Sequence, residues 1–240
     1  MTISNETRSR FKNAFVPLAV AMGRAGLTPD ALTLIGFGIT VVGAVLLAIQ
    51  LWLVGGIVVF VGGAFDMFDG TLARATGKVS PLGAFMDSVF DRAGEVVVYI
   101  GIVAGLQAVG VAGGPLLAAA ALGSAVMVSY ARAKSEGLGF TEGTGMAAVG
   151  LMPREIRLVI LSLGLILAGL LGTTPTAVGE GAGGGAIAPG VLVLFIALGI
   201  IAIGATITVI QRILHVRAQA KRQSTTRDAG TPASNGENNT

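Results

Sequence analysis

Residues 55–111 read GGIVVFVGGAFDMFDGTLARATGKVSPLGAFMDSVFDRAGEVVVYIGIVAGLQAVGV. The run from Gly55 to Phe65 is apolar, and the acids Asp66 and Asp69 and the bases Arg74 and Lys78 follow it. Beyond Ser80 the order reverses: Asp87, Asp91 and Glu95 precede a charge-free stretch from Val96 to Val111. Two helices of opposite direction therefore carry acids at the same end. The first apolar run covers about 16 Å, roughly half a bilayer core, before its first carboxylate. Asp66 and Asp69 are spaced i, i+3, and Asp87 and Asp91 i, i+4, so each pair shares one helix face. Carboxylates within a membrane cost about 2.5–3.5 kcal/mol each on insertion scales. Four of them at one depth repel one another unless a cation intervenes.

The composition around this stretch places it in a bilayer. Of 240 residues, 53% are hydrophobic and 12% charged, against ~45–50% and ~25% in a typical soluble domain. Mean hydropathy is +0.81. A soluble globular domain and a disordered chain are both excluded. The absence of cysteine excludes a disulfide framework, an iron–sulfur cluster and thiol catalysis. The single histidine, His215, argues against a histidine-based metal site. The pI of 9.7 accompanies a net charge of only +3, which marks a cytoplasmic face rather than a nucleic-acid partner.

Working outward, apolar spans are expected at Ala31–Val54, Gly55–Phe65, Val96–Val111, Pro115–Ala131, Leu158–Gly172 and Val191–Ile210. Thr28-Pro29-Asp30 suits a helix start before the first. The predicted fold is an all-α integral membrane protein of six transmembrane helices. Residues 1–24 form a polar leader without the apolar core of a signal peptide. Within it Phe11, Phe15, Leu18 and Val20 lie among Arg10, Lys12 and Arg24, the pattern of an amphipathic helix on the membrane surface. Residues 25–217 form the six-helix domain and 218–240 a disordered tail. Every one of the 16 Lys and Arg residues falls at or just inside one face of this layout. By the positive-inside rule both termini are cytoplasmic and the acidic ends face the cytoplasm of a multi-pass plasma-membrane protein. Residues 173–190, rich in glycine, read as a flexible outer loop. Gly101-xxx-Gly105 suggests a close-packing helix face.

Without cysteine or a useful histidine, the cation suited to the four aspartates is a hard divalent ion with oxygen ligands: Mg²⁺ first, then Mn²⁺ or Ca²⁺, one or two in number. Gly70 removes a side chain where a bulky group approaches the backbone, and Arg74 one turn on suits a phosphate. A cation or proton path is the alternative use of such acids, but none continue from Asp66 toward Gly55.

Asp66-x-x-Asp69-Gly70-x-x-Ala73-Arg74, eight residues, then Gly83-x-x-x-Asp87-x-x-x-Asp91 resembles the full signature of the CDP-alcohol phosphotransferases. With the six-helix layout the resemblance covers residues 10–215. It implies an enzyme that moves a phosphatidyl or archaetidyl group from CDP-diacylglycerol or CDP-archaeol to an alcohol, releasing CMP. Carried over by position, Asp66, Asp69, Asp87 and Asp91 would hold two Mg²⁺ ions, with Asp66 bridging and Asp91 also the base for the acceptor hydroxyl. Asp30, Thr33, Gly70, Arg74 and Ser80 would contact the CDP-lipid, although Asp30 reads equally as a helix N-cap. The resemblance also implies a homodimer.

The acceptor is read from three further segments. Ser129-Tyr130-Ala131-Arg132-Ala133-Lys134-Ser135-Glu136, Arg154-Glu155-x-Arg157-Leu158 and Gln211-Arg212 resemble elements of the family members that make phosphatidylinositol phosphate and its archaeal counterpart. Pro153 departs from the Glu common before the first arginine there. The resemblance implies that Arg132, Arg154 and Arg212 cradle the phosphate of inositol 1-phosphate, and three arginines suit a doubly charged group. Glycerol 3-phosphate, also a phosphate monoester, is the alternative acceptor. Residues 137–152 read as a loop that either shapes the acceptor pocket or merely connects two spans.

Overall fold

The computed structural model describes residues 17, 20–140, 149–173 and 187–229, with the side chains of 66, 67 and 225–229 outside that description. Among the described residues there is no strand. After a helical stretch at 20–24 come six long helices: α1 (Pro29–Ala48), α2 (Trp52–Thr76), α3 (Pro81–Ala108), α4 (Gly114–Gly137), α5 (Arg154–Leu171) and α6 (Pro189–Ala229). Four of them, α1, α2, α4 and α6, are long and apolar enough to cross a membrane. The other two carry charge in the portion nearer their N-termini: Asp87, Asp91, Arg92 and Glu95 on α3, and Arg154, Glu155 and Arg157 on α5.

The helices close into a ring. α1 packs on α2, α2 on α5, α5 on α6, α6 on α4, α4 on α3, and α3 back on α1. Leu47, Tyr99, Ile102, Leu165, Leu198 and Ile201 fill its interior, while large apolar side chains such as Val42, Phe60, Ile100, Leu163 and Ile203 face outward, as a lipid-facing surface requires. The Gly101-xxx-Gly105 face lies where α3 meets α1. A Cβ on Gly101 would stand 2.3 Å from the Ala44 carbonyl oxygen, and one on Gly105 2.4 Å from that of Leu47.

Two expectations are corrected by the backbone. The first apolar run does not continue to Val54. α1 stops at Ala48, and Gln50 takes φ +68°, so α2 starts at Trp52 and gains a longer apolar lead before Asp66. The second correction concerns the tail. α6 stays helical through Ala229, past residue 218, because Gln219–Ala229 holds no glycine or proline and several good helix formers. The amphipathic leader falls mostly outside the described residues, as do 141–148, 174–186 and 230–240.

Candidate active site

The helix starts build the site. Thr28 caps α1, its Oγ1 accepting from the Ala31 amide at 3.1 Å, with Pro29 in the first turn. Asp30 is therefore not the cap; it sits in the first turn, where a carboxylate also favours the helix dipole. Ser80 caps α3 in the same way, accepting from Gly83 N at 3.0 Å, with Pro81 following. Between them α2 ends at Gly77 in the left-handed region, φ +68°, where glycine is favoured.

These three helix ends meet around a cleft of about 270 Å³. α1 contributes Asp30 and Thr33, α2 contributes Asp69, Gly70 and Arg74, and Ser80 and Asp87 come from the start of α3. All five residues expected to contact the CDP-lipid thus line one cavity with two of the four aspartates. Although α2 and α3 are consecutive in sequence, they barely touch; the start of α1 stands beside both. Gly83 permits the approach of α1 to α3, since its Cβ would stand 3.1 Å from Ser80 Oγ and 3.5 Å from Asp30 Oδ1. Gly70 leaves room for Arg74, whose Nη1 would lie 3.4 Å from a Cβ there.

Asp69 is only 4% exposed. Its Oδ2 accepts from Thr33 Oγ1 at 2.5 Å and its Oδ1 from the Gly70 amide. These two contacts orient the Asp69 carboxylate. Asp91 lies one turn beyond Asp87 on α3, with Arg154 Nη1 at 2.7 Å from Oδ1 and Arg92 Nη1 at 3.7 Å from Oδ2. The side chain of Asp66 is outside the described residues, and among those described no three acidic, histidine or cysteine side chains converge. The donor set still suits a hard cation: Asp69 and Asp87 offer oxygen ligands to one cleft, and Asp91 already attracts two positive groups.

The three arginines expected to hold the acceptor phosphate have different surroundings. Arg154 faces Asp91. Arg132 is 48% exposed and pairs with Glu136 one turn on at 2.9 Å. Arg212 is 4% exposed, its Nε donating to the Val149 carbonyl at 3.0 Å and its Nη1 to that of Val128. None of the three lines the cleft at the starts of α1 and α3. They nonetheless belong to one electrostatic cluster with Arg92 and Arg157, within reach of Asp91, Glu95 and Glu136.

One strong interaction had no assigned role in the sequence reading. Arg157, 2% exposed, reaches across to Glu95, Nε to Oε1 and Nη2 to Oε2, both at 3.0 Å, and its Nη1 donates to the Met152 carbonyl at 3.0 Å. The signal was present as spacing: Arg154 and Arg157 are i, i+3 on α5, opposite Asp91 and Glu95 at i, i+4 on α3.

Residues 26–216 match the family model of CDP-alcohol phosphatidyltransferase. An archaetidylinositol phosphate synthase of Pyrococcus horikoshii is 34% identical over 65% of this chain and 79% of its own length. A phosphatidylinositol phosphate synthase of Streptomyces avermitilis is 33% identical over 97% of this chain and 88% of its own. Among solved structures, the phosphatidylinositol phosphate synthase of Mycobacterium tuberculosis with CDP-DAG bound superposes with a TM-score of 0.67 at 26% identity, covering 84% of this chain and 92% of that one. The same protein has also been crystallised with manganese and citrate.

Proposed function

The chain belongs to the CDP-alcohol phosphatidyltransferase family, and from that premise we propose that it transfers a phosphatidyl or archaetidyl group from a CDP-linked lipid to a hydroxyl of 1-myo-inositol 1-phosphate, releasing CMP. The observation that carries the reading is the cleft at the starts of α1 and α3, which gathers Asp30, Thr33, Asp69, Gly70, Arg74, Ser80 and Asp87. A nucleoside diphosphate with a lipid tail suits such a site, polar at the helix ends and open beside an apolar face.

In the reaction the acceptor oxygen forms a bond to the lipid-bearing phosphorus and the bond from that phosphorus to CMP breaks. The acceptor hydroxyl gives its proton to the Asp91 carboxylate. Arg74 meets the diphosphate, and Thr28 and Ser80 cap the two helix starts that border the cleft. Asp66, Asp69, Asp87 and Asp91 would hold two divalent ions, Mg²⁺ before Mn²⁺, which neutralise the diphosphate and stabilise charge on the attacking and leaving oxygens. The Thr33 and Gly70 contacts to Asp69 support this role, since ligands oriented by neighbours bind metals more tightly.

The clustering of Arg132, Arg154 and Arg212 with Arg92 and Arg157 supports a phosphorylated acceptor over a free alcohol. Arg154 is the best-placed of these arginines. The names of the relatives agree with inositol phosphate. The same reading takes residues 25–217 as the catalytic unit of a homodimer, with six spans, both termini cytoplasmic and the cleft opening to the cytoplasm of the plasma membrane. In the sequence, the position of every Lys and Arg relative to the expected spans supports that orientation.

The deciding experiment measures CMP release by purified protein given CDP-diacylglycerol and each candidate acceptor. Inositol 1-phosphate is expected to give the fastest turnover; faster turnover with glycerol 3-phosphate overturns the acceptor assignment.

A further inference from the structure

α3 and α5 are not neighbours in the helix ring, yet two ion pairs join them across its interior. Asp91 meets Arg154, and one turn deeper Glu95 meets Arg157 in a two-pronged contact. The gap between the helices is a cavity of about 50 Å³ lined by Thr40, Gly94, Glu95, Tyr99, Arg154 and Arg157, among apolar neighbours. α3 and α5 are not among the closely packed helix pairs.

The start of α5 lacks the usual local anchor. Pro153 occupies its cap position and supplies no side-chain cap hydrogen bond, unlike Thr28 and Ser80. The segment before it is instead pinned by side chains of α5 and α6. The Met152 carbonyl accepts from Arg157 Nη1, the Met152 amide donates to Thr208 Oγ1 at 3.0 Å, and the Val149 carbonyl accepts from Arg212. Arg157 thus holds both the entry to α5 and, through Glu95, the rotation of α5 about its own axis. Arg154 lies three residues earlier on the same face.

A buried ion pair is a weak source of stability, because desolvation offsets its attraction, and its best-attested use is to fix one arrangement among several. Two planar groups in a two-pronged contact fix direction as well as distance. We propose that the Glu95–Arg157 pair is the positioning device of the acceptor site: it holds the first turn of α5 so that Arg154 stands opposite Asp91, where the acceptor phosphate is received. This rests on the proposed function, in which Arg154 grips that phosphate. Neither Glu95 nor Arg157 touches substrate in it.

The test is steady-state kinetics of the full chain in detergent, with CMP release measured against inositol 1-phosphate and, separately, against CDP-diacylglycerol. Glu95→Gln keeps the shape and removes the charge. The KM for inositol 1-phosphate is expected to rise on the order of tenfold or more, the size of effect that a displacement near 1 Å produces, with the KM for CDP-diacylglycerol within about twofold of the parent. Glu95→Asp, which keeps the charge and shortens the reach, should fall between, and serves in place of Glu95→Gln if the latter does not fold. Equal rises in both KM values, or an unchanged acceptor KM in the folded variants, overturn the inference, since a purely structural pair has no reason to discriminate between substrates. Failure of the proposed function looks different: the parent protein itself then shows no turnover dependent on inositol 1-phosphate.

Discussion

Arg154 Nη1 stands 2.7 Å from Asp91 Oδ1, so the carboxylate proposed as the base is held by an arginine proposed to grip the acceptor's phosphate. The two functions meet in one ion pair, which places the acceptor's charged end and its reacting hydroxyl within one residue's reach of each other. Replacing Arg154 by Ala removes a charged hydrogen-bond donor, typically a loss of about 1.5–3 kcal/mol, or about 10- to 100-fold. The expected result is a rise of that size in the KM for inositol 1-phosphate. Arg154→Lys, which keeps charge but loses the planar fork, should lie between. CMP release across an acceptor titration measures both; an unchanged KM in Arg154→Ala would remove Arg154 from the acceptor site.

Arg212 separates stability from binding. Its guanidinium is committed to the carbonyls of Val128 and Val149, which ties α6 to α4 and to the segment leading into α5. Arg212→Ala removes two hydrogen bonds from a charged group, each typically worth about 1.5–3 kcal/mol, so the unfolding temperature of the detergent-solubilised protein should drop by several degrees. Arg132→Ala should not lower it, because Arg132 is half-exposed in a surface pair with Glu136, and such pairs contribute about 0–1 kcal/mol. Equal unfolding temperatures for the two variants would contradict this assignment.

The parts of the molecule that could be read from sequence are those governed by local rules. Thr28-Pro29 and Ser80-Pro81 are cap-and-proline starts, and both helices begin there. The aspartate spacings set shared faces, and Asp69 and Asp87 line one cleft. What escaped depends on contacts distant in sequence. The turn at Ile49–Leu51 contains neither glycine nor proline, and no charged residue interrupts the sequence there. Gln50 is driven into its left-handed conformation by packing on either side. Gly105 of α3 lacks the side chain that would strike both the Leu47 carbonyl oxygen and the Trp52 ring, at 2.4 and 2.7 Å. Likewise nothing in Gln211-Arg212 foretells that the guanidinium ends on backbone carbonyls 63 and 84 residues away.

Thr33 offers a test of the metal ligands that does not remove one. Thr33→Val keeps the shape but deletes the hydroxyl that donates to Asp69 Oδ2. Losing an orienting partner of this kind typically costs 10- to 100-fold in metal affinity. A Mg²⁺ titration of CMP release should therefore shift to higher concentration by about that factor, and Thr33→Ser should restore most of it. Chelation should abolish turnover in the parent protein, with Mg²⁺ and Mn²⁺ each restoring it. Turnover that survives chelation would exclude the proposed metal role.

Asp91→Asn tests the base directly. The amide keeps the size of the side chain but cannot take a proton from the acceptor hydroxyl. General bases typically contribute 10²–10⁴-fold, and CMP release should fall within about that range. Near-normal release would move the base elsewhere.

Membrane orientation can be tested without first clearing the background, because the chain contains no cysteine. Ala112 lies in the exposed turn between α3 and α4, and Leu138 just beyond the end of α4. α4 separates the two sites by 24 residues, or about 36 Å at 1.5 Å per residue, enough to cross the hydrocarbon core. Leu138 lies toward the basic face with Arg132 and Lys134, whereas the turn at Ala112 holds no Lys or Arg. With the basic face cytoplasmic, a membrane-impermeant maleimide applied to intact cells should label Ala112→Cys and spare Leu138→Cys until the membrane is opened. Labelling of Leu138→Cys in intact cells would invert the topology and turn the cleft away from cytoplasmic substrates.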